Sequence, residues 1–279
     1  MTDTYYRGRV AVITGAGGTL CSEIAVDLAQ KGANVVLIGR SADKLQKTEL
    51  KIKAFSGSSM VRPCDVTDEA GMMDIAQEVC ARWGACDFLI NGAGGNQTAA
   101  MTTETVYKNT DGMKDARNLF DLDLDIFESV LKINTLGTVI PIRAFGKQML
   151  DAGRGSIINF ASMNSYCPLT RVPAYAMSKA AVANFTQWLG AYFGPCNVRV
   201  NAIAPGFFVN ERSAQYLGTV EQGLTQRGKS VIDHTPMERF GLSRDLLGCV
   251  SWLLDERASA FVTGITVPLD GGFLARSGV

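Results

Sequence analysis

Short runs of β-branched and other apolar residues alternate along the chain with longer stretches whose apolar positions recur at helical spacing. The runs Val10–Thr14, Asn34–Ile38, Ser59–Arg62, Asp87–Asn91, Ser156–Phe160, Val198–Ile203 and Thr266–Leu269 predict strands, about seven in all. The stretches 19–31, 41–55, 68–82, 124–150, 173–193 and 243–254 predict helices. Strands spaced by helices imply right-handed crossovers, and hence an α/β fold with a doubly wound parallel sheet and helices on both faces. Two segments break the rhythm: 95–123, and 206–241, which follows Pro205 and contains Gly206, Gly218, Gly223, Gly228 and Pro236. Both come after predicted strands, so both are expected beyond the carboxyl edge of the sheet, where open α/β folds bind ligands. We read them as substrate loops, the second as a closing lid, with surface decoration or contacts between subunits as the alternative. No repeat, low-complexity tract or linker divides residues 1–279, which predicts a single domain.

Composition narrows the class. Lys plus Arg equals Asp plus Glu at 27 each, with no long run of one sign, so neither nucleic acid nor an anionic membrane surface is an expected partner. No stretch approaches the roughly 18 apolar residues of a membrane span, and the N-terminus is polar where a signal peptide is apolar. The seven cysteines include no Cys-x-x-Cys pair, which fits reduced thiols in a cytoplasmic protein. His234 is the only histidine, and no Gly-x-Ser-x-Gly elbow accompanies it. A multi-histidine metal site and a Ser-His hydrolase are therefore both disfavoured, and no metal is expected.

The turn after the first strand reads Thr14-Gly15-Ala16-Gly17-Gly18-Thr19-Leu20 and opens a helix. Glycines there let the backbone approach a pyrophosphate, whose charge meets amide hydrogens at the helix start. The second strand ends Gly39-Arg40-Ser41. Where a carboxylate would take the adenosine ribose hydroxyls, Arg40 can instead pair with a 2′-phosphate, which favours NADP(H) and leaves NAD(H) possible. Stacking of Arg40 on adenine is the alternative. Asp65 and Val66 after the third strand, and Asn91, Gly92, Ala93 and Gly94 after the fourth, belong to the same edge, where Asp65 can accept from the adenine amino group.

Tyr175 and Lys179 stand four residues apart on a predicted helix, so an ammonium can sit beside a phenol and favour its phenolate. That makes an acid/base usable near neutrality, although such pairs also occur on solvated helix faces. Ser162, just past the fifth strand, can share a substrate carbonyl oxygen with Tyr175. Asn134 can hold a water that relays protons from Lys179, or can be a buried, satisfied residue that kinks its helix.

Together, Thr-Gly-x-x-x at 14–18, Asn-x-Ala-Gly at 91–94, Asn134, Ser162, Tyr175-x-x-x-Lys179 and Asn-Ala-Ile-Ala-Pro-Gly at 201–206 resemble the short-chain dehydrogenase/reductase family over almost the whole chain. The resemblance implies a Rossmann-type fold and a NAD(P)-dependent oxidoreductase. Tyr175 would be its acid/base, Ser162 the binder of the substrate oxygen, Lys179 the residue that lowers the Tyr175 pKa and holds the nicotinamide ribose, and Asn134 the support of the relay. It adds Pro205, Gly206 and Phe208 to the cofactor site, and a homotetramer built through the helices at 124–150 and 173–193 and the last strand. Two departures stand out: Thr19-Leu20-Cys21 replaces Gly-Ile-Gly, and Asn210 replaces the usual Thr. Runs such as Gly-Gly-Thr-Leu-Cys-Ser at 17–22 and Asp-Gly-Gly-Phe at 270–273 resemble the D-mannonate oxidoreductases within the family, which interconvert D-fructuronate and D-mannonate. Asn96, Asn164 and Arg212 are the expected substrate ligands, Arg212 for a carboxylate. Gluconate, polyol or other carbonyl reduction by the same machinery is an alternative, as is a catalytically idle NADP sensor or scaffold.

Overall fold

The computed structural model describes residues 4–111, 113, 115–209, 211–219 and 222–276, and the side chains of Glu211 and Arg212 lie outside that description. The elements run β1 (Val10–Thr14), α1 (Thr19–Gln30), β2 (Asn34–Gly39), α2 (Ala42–Lys53), β3 (Ser59–Pro63), α3 (Glu69–Trp83), β4 (Phe88–Asn91) and α4 (Leu124–Ala152) in the first half. In the second half come β5 (Gly155–Phe160), α5 (Pro173–Phe193), β6 (Val198–Pro205), α6 (Glu211–Leu217), β7 (Gly218–Thr219), β8 (Gly223–Leu224), α7 (Gln226–His234), α8 (Leu247–Leu254), α9 (Glu256–Ser259) and β9 (Thr266–Leu269). Seven strands form one parallel sheet in the order β3-β2-β1-β4-β5-β6-β9, a doubly wound Rossmann-type arrangement. The expected strands agree with this sheet to within a residue or two.

Both faces of the sheet are covered, which is why its strands read as unbroken apolar runs. Along β1, Ala11 and Ile13 join a core with Ile24, Leu28, Val250 and Leu253 of α1 and α8, while Val10 and Val12 face Met72, Val79, Phe145 and Met149 of α3 and α4. This alternation is the two-residue period of an extended chain. At the carboxyl edge, Thr14 is in register with both Ile38 and Asn91, and Asn91 with Asn159, so the strand ends form one ledge. The order of strands reverses between β1 and β4, which opens the crevice there.

The two long connections differ from expectation in their interior. Segment 95–123 is a loop held by its own hydrogen bonds: Thr103 N donates to Arg117 O at 2.9 Å, Arg117 Nε to Met101 O at 3.2 Å, and Thr110 Oγ1 to Asp121 Oδ2 at 2.6 Å. Segment 206–241 is not irregular; it carries α6, the β7–β8 hairpin and α7, gathered on a small apolar cluster of Leu217, Val231 and Phe240. Thr225 caps α7 by accepting the Gly228 amide at 3.0 Å. The helix expected over 243–254 begins as a short 3₁₀ turn, Ser243–Leu246, before α8. Among the described residues no helix is long and apolar enough to cross a membrane.

Candidate active site

β5 ends at Phe160, and two residues later Ser162 turns the chain by capping a 3₁₀ turn, Met163–Ser165. Its hydroxyl oxygen accepts from the Asn164 amide at 3.2 Å and from Asn164 Nδ2 at 3.3 Å, which fixes a buried side chain. α5 then starts at Pro173, a position where the missing N–H costs nothing. Tyr175 and Lys179 follow one turn apart. The Tyr175 phenol hydrogen-bonds with Ser162, and its ring packs on Ala100, Val130 and Ala174. Lys179 is only 4% exposed. Its ammonium donates to the Phe160 carbonyl at 2.6 Å and lies 5.6 Å from the centre of the Tyr175 ring.

The acid/base electrostatics correct the sequence reading. Burial drives the Tyr175 phenol above its ordinary pKa, and the Ser162 hydrogen bond pulls back against it; Lys179 does not bring the phenol down. The ammonium is directed at a backbone carbonyl rather than at the phenol oxygen, and dehydration outweighs its charge. Burial also pushes Lys179 down to about 8.

Asn134 braces this pocket from α4. Its Nδ2 donates to Gly95 O and Val130 O, each at 2.8 Å, and its Oδ1 accepts the Gly95 amide at 3.1 Å. Both amide donors are thereby spent on backbone, so a relay water would have only a lone pair of Oδ1 to hold it. A Cβ at Gly94 would stand 2.5 Å from Asn134 Oδ1 and 3.5 Å from Lys179 Nζ, so only glycine fits between them. Cys21, the departure in the glycine turn, points inward: its thiol is buried, raised by burial to about 12, and occupies the space over Gly92.

A cleft of about 330 Å³ runs along the ledge from Gly15, Gly17 and Gly18 past Arg40 and Ser41 to Asp65, Val66, Ala93 and Gly94. Gly15 has φ +68°, and any Cβ there would meet the backbone of Gly92 and Ala93 at 2.9 Å. Thr14 Oγ1 accepts the amides of Gly92 and Ala93 at 3.1 and 3.2 Å, tying the two turns together. α1 has no side-chain cap at Gly18, so the amides of its first turn, Thr19 and Leu20 included, are left for a ligand. A dinucleotide pyrophosphate suits such a start: bare backbone, free N–H groups and no intervening side chain. Asp65 Oδ1 accepts from Thr67 N at 2.9 Å and Thr67 Oγ1 at 2.8 Å. Against burial, which would raise it, these bonds together with Arg40 and Lys132 hold its carboxyl below the usual range. Lys44 lines the same cleft beside Arg40 and Ser41, and was missed because a helical lysine carries no motif. Pro205 and Gly206 close the far end of β6, where Gly206 N donates to Leu269 O at 2.9 Å.

Four expected ligands stand elsewhere. The Asn91 side chain is turned beneath α5, donating to Asn159 Oδ1 at 2.9 Å, because the strand alternation sends it to that face. Asn96 lines the neighbouring hollow with Asp65, Thr67 and Lys132, a hollow that Ser162 does not line. Asn164 is buried, and its amide oxygen takes the Leu169 N–H at 2.9 Å, so it positions Ser162. Phe208 lays its ring on Gly241 and lines a separate hollow beside Leu269 and Asp270. Asn210 and the Arg212 side chain lie outside the described residues. Among the described residues no cluster of His, Cys, Asp and Glu could hold a metal ion.

A glycine turn feeding a helix, a switch-point crevice, and a serine, tyrosine and lysine gathered behind its Gly94 wall fit a nicotinamide-dependent oxidoreductase. Residues 9–217 match the short chain dehydrogenase family, and the chain belongs to it, an enzyme class acting on CH–OH groups with NAD(P). It is 42% identical, over 98% of its length and 97% of the relative's, to UxuB of Bacillus subtilis (strain 168), an oxidoreductase named as uncharacterised. A structure from Haemophilus influenza, provisionally named a D-mannonate oxidoreductase and holding NAD, is 41% identical with TM-score 0.92, covering 98% of this chain and 97% of that one. Another from Beutenbergia cavernae, provisionally named an NAD(P)-dependent gluconate 5-dehydrogenase and holding NADP at low occupancy, is 30% identical with TM-score 0.79, covering 97% and 98%.

Lys179 titrates near 8 in the fold against about 10.5 free, so its buried charge destabilises the protein below pH 8 and the cost is relieved as pH rises above it. The unfolding free energy of Lys179→Met relative to the native protein should therefore be highest at pH 7 and fall by an amount on the order of 3 kcal/mol toward ~pH 10, in chemical denaturation across that range.

Proposed function

We propose that the chain is an NADP(H)-dependent oxidoreductase of sugar acids, interconverting a carbonyl with a secondary alcohol, with D-fructuronate and D-mannonate as the leading pair. The observation that carries this reading is the Tyr175 phenol, bonded to Ser162 and next to the buried Lys179, whose ammonium lies behind Gly94 in the wall of a cleft that suits a dinucleotide. The bound nicotinamide supplies or accepts the hydride. Tyr175 gives the proton to the substrate oxygen in reduction and removes it in oxidation. Ser162 donates a hydrogen bond to that same oxygen and stabilises charge developing there. Lys179, its ammonium 5.6 Å from the centre of the Tyr175 ring, is placed to hold the nicotinamide ribose. Asn134 is a positioning residue that straps Gly94 and Gly95 against Lys179.

Preference for NADP(H) is supported by Arg40 and Lys44, two cations beside the Ser41 hydroxyl at a strand end where Gly39 offers no carboxylate. Ser41 is the N-terminal cap of α2, yet its hydroxyl makes no capping bond and is free to meet an anion. NAD in the Haemophilus structure and NADP in the Beutenbergia structure show that relatives of this fold hold either. The sugar-acid reading draws on those same two provisional names. The gluconate 5-dehydrogenase name also favours gluconate oxidation as the second reading. A homotetramer is supported by α5, which exposes Met177, Trp188 and Tyr192, the last two stacked at 4.9 Å. Large aromatic surface of this kind is what an obligate interface buries.

A screen of sugar acids, polyols and ketones, read by the absorbance of reduced nicotinamide, should give turnover first on hexuronates or hexonates. Turnover confined to neutral alcohols would overturn the substrate assignment. Tyr175→Phe should lower kcat by about 10²- to 10⁴-fold with cofactor affinity retained. For Arg40→Ala, the KM for NADPH should rise by roughly 10- to 100-fold and that for NADH should change little. Trp188→Glu should lower the sedimenting mass from tetramer toward dimer or monomer.

A further inference from the structure

Arg171 stands four residues ahead of Tyr175, in the loop that joins Ser162 to α5. Its backbone is held in the left-handed region, φ +73°, and its carbonyl accepts the Thr102 amide at 3.1 Å, so the 95–123 loop pins it in place. Its Nε is buried and has no hydrogen-bond partner. A buried donor on a charged group left unpaired is costly, and the cost is removed when a bound acceptor completes the geometry. Arg227, the second residue of α7 in the lid segment, is partly buried. Burial lowers its pKa, and the positive charge of Arg171 lowers it further, so the two guanidiniums lie within electrostatic reach of each other. Among the described residues neither has an ion-pair partner. Arg171 helps to lower the Glu104 carboxyl, but that carboxylate is already bonded to Lys108 at 2.9 Å.

Two like charges brought together, one on the approach to the catalytic helix and one on the lid, repel until an anion joins them. The planar guanidinium fork suits a carboxylate, which offers two oxygens to two donors. We infer that Arg171 and Arg227 form a two-guanidinium seat for the substrate carboxylate, assembled across the gap between the catalytic loop and the lid. This deepens the sugar-acid reading and rests on it. It also moves the carboxylate-binding role expected of Arg212 to a pair whose placement the structure describes. Because one member belongs to the lid, carboxylate binding draws α7 toward α5, and a neutral polyol of the same carbon skeleton lacks that contact.

The test uses the full chain with Arg171→Gln, Arg227→Gln and the charge-retaining Arg227→Lys, each checked for a native circular dichroism spectrum. Steady-state kinetics on a sugar acid and on its neutral polyol counterpart give the acid-to-polyol ratio of kcat/KM. That ratio should fall about 10- to 100-fold in each glutamine variant, mainly through the KM of the acid, and recover in part in Arg227→Lys. An unchanged ratio in both glutamine variants of an enzyme that does turn over sugar acids overturns the seat and leaves the function standing. Calorimetric titration with tartrate, a carboxylate probe that needs no turnover, separates the two ideas. Arg171- and Arg227-dependent tartrate binding by a protein that oxidises only neutral alcohols keeps the two arginines as a carboxylate site and overturns both the sugar-acid function and the site's role in holding substrate. Inorganic phosphate binding as tightly as tartrate, with the same dependence on the two arginines, overturns the carboxylate assignment.

Discussion

Nearly every feature of the catalytic end of this molecule answers to one difficulty, an ammonium placed where water hardly reaches. Lys179 is buried under α5 with a single short bond to the Phe160 carbonyl, and its lowered pKa measures what that position costs. Around it the fold leaves no slack: a glycine at 94 because nothing larger passes between the ammonium and Asn134, and an asparagine at 134 because the strap over the pocket needs both a donor and an acceptor. That charge is held at a cost 5.6 Å from the centre of the Tyr175 ring. Stability given up at this spot is offset by the two large apolar cores on either face of the sheet.

The sheet was legible because both of its faces are buried, so each strand announces itself as an apolar run regardless of what its neighbours do. The catalytic spacing was legible for a similar reason: one helical turn between Tyr175 and Lys179 fixes their proximity. Orientation was not. Spacing cannot tell that the ammonium turns to Phe160 O, and so the expected depression of the phenol pKa gave way to burial. Asn91 was within reach of a stricter reading, since Leu89 faces α3 and α4 and the residue two positions on must share that face. Asn96 was not, because the course of a loop is set by bonds between residues distant in sequence.

The 206–241 segment shows the opposite limit. α6 and α7 are short and carry few apolar residues, so their intrinsic signal is weak, and they form because Leu217, Val231 and Phe240 meet in a cluster that exists only in three dimensions. Elements stabilised in this way open at lower free energy than the core. The 95–123 loop, by contrast, is stitched by its own side chains and to the carbonyl of Arg171, a firm wall opposite a looser one.

The inward thiol of Cys21 has an evolutionary corollary. Its sulfur fills the volume that a side chain at position 92 would claim, with a Cβ there falling 2.1 Å from the sulfur. A side chain at 92 therefore requires the Cys21 sulfur to move or be replaced, so the glycine turn and the turn after β4 accept added bulk only as a pair.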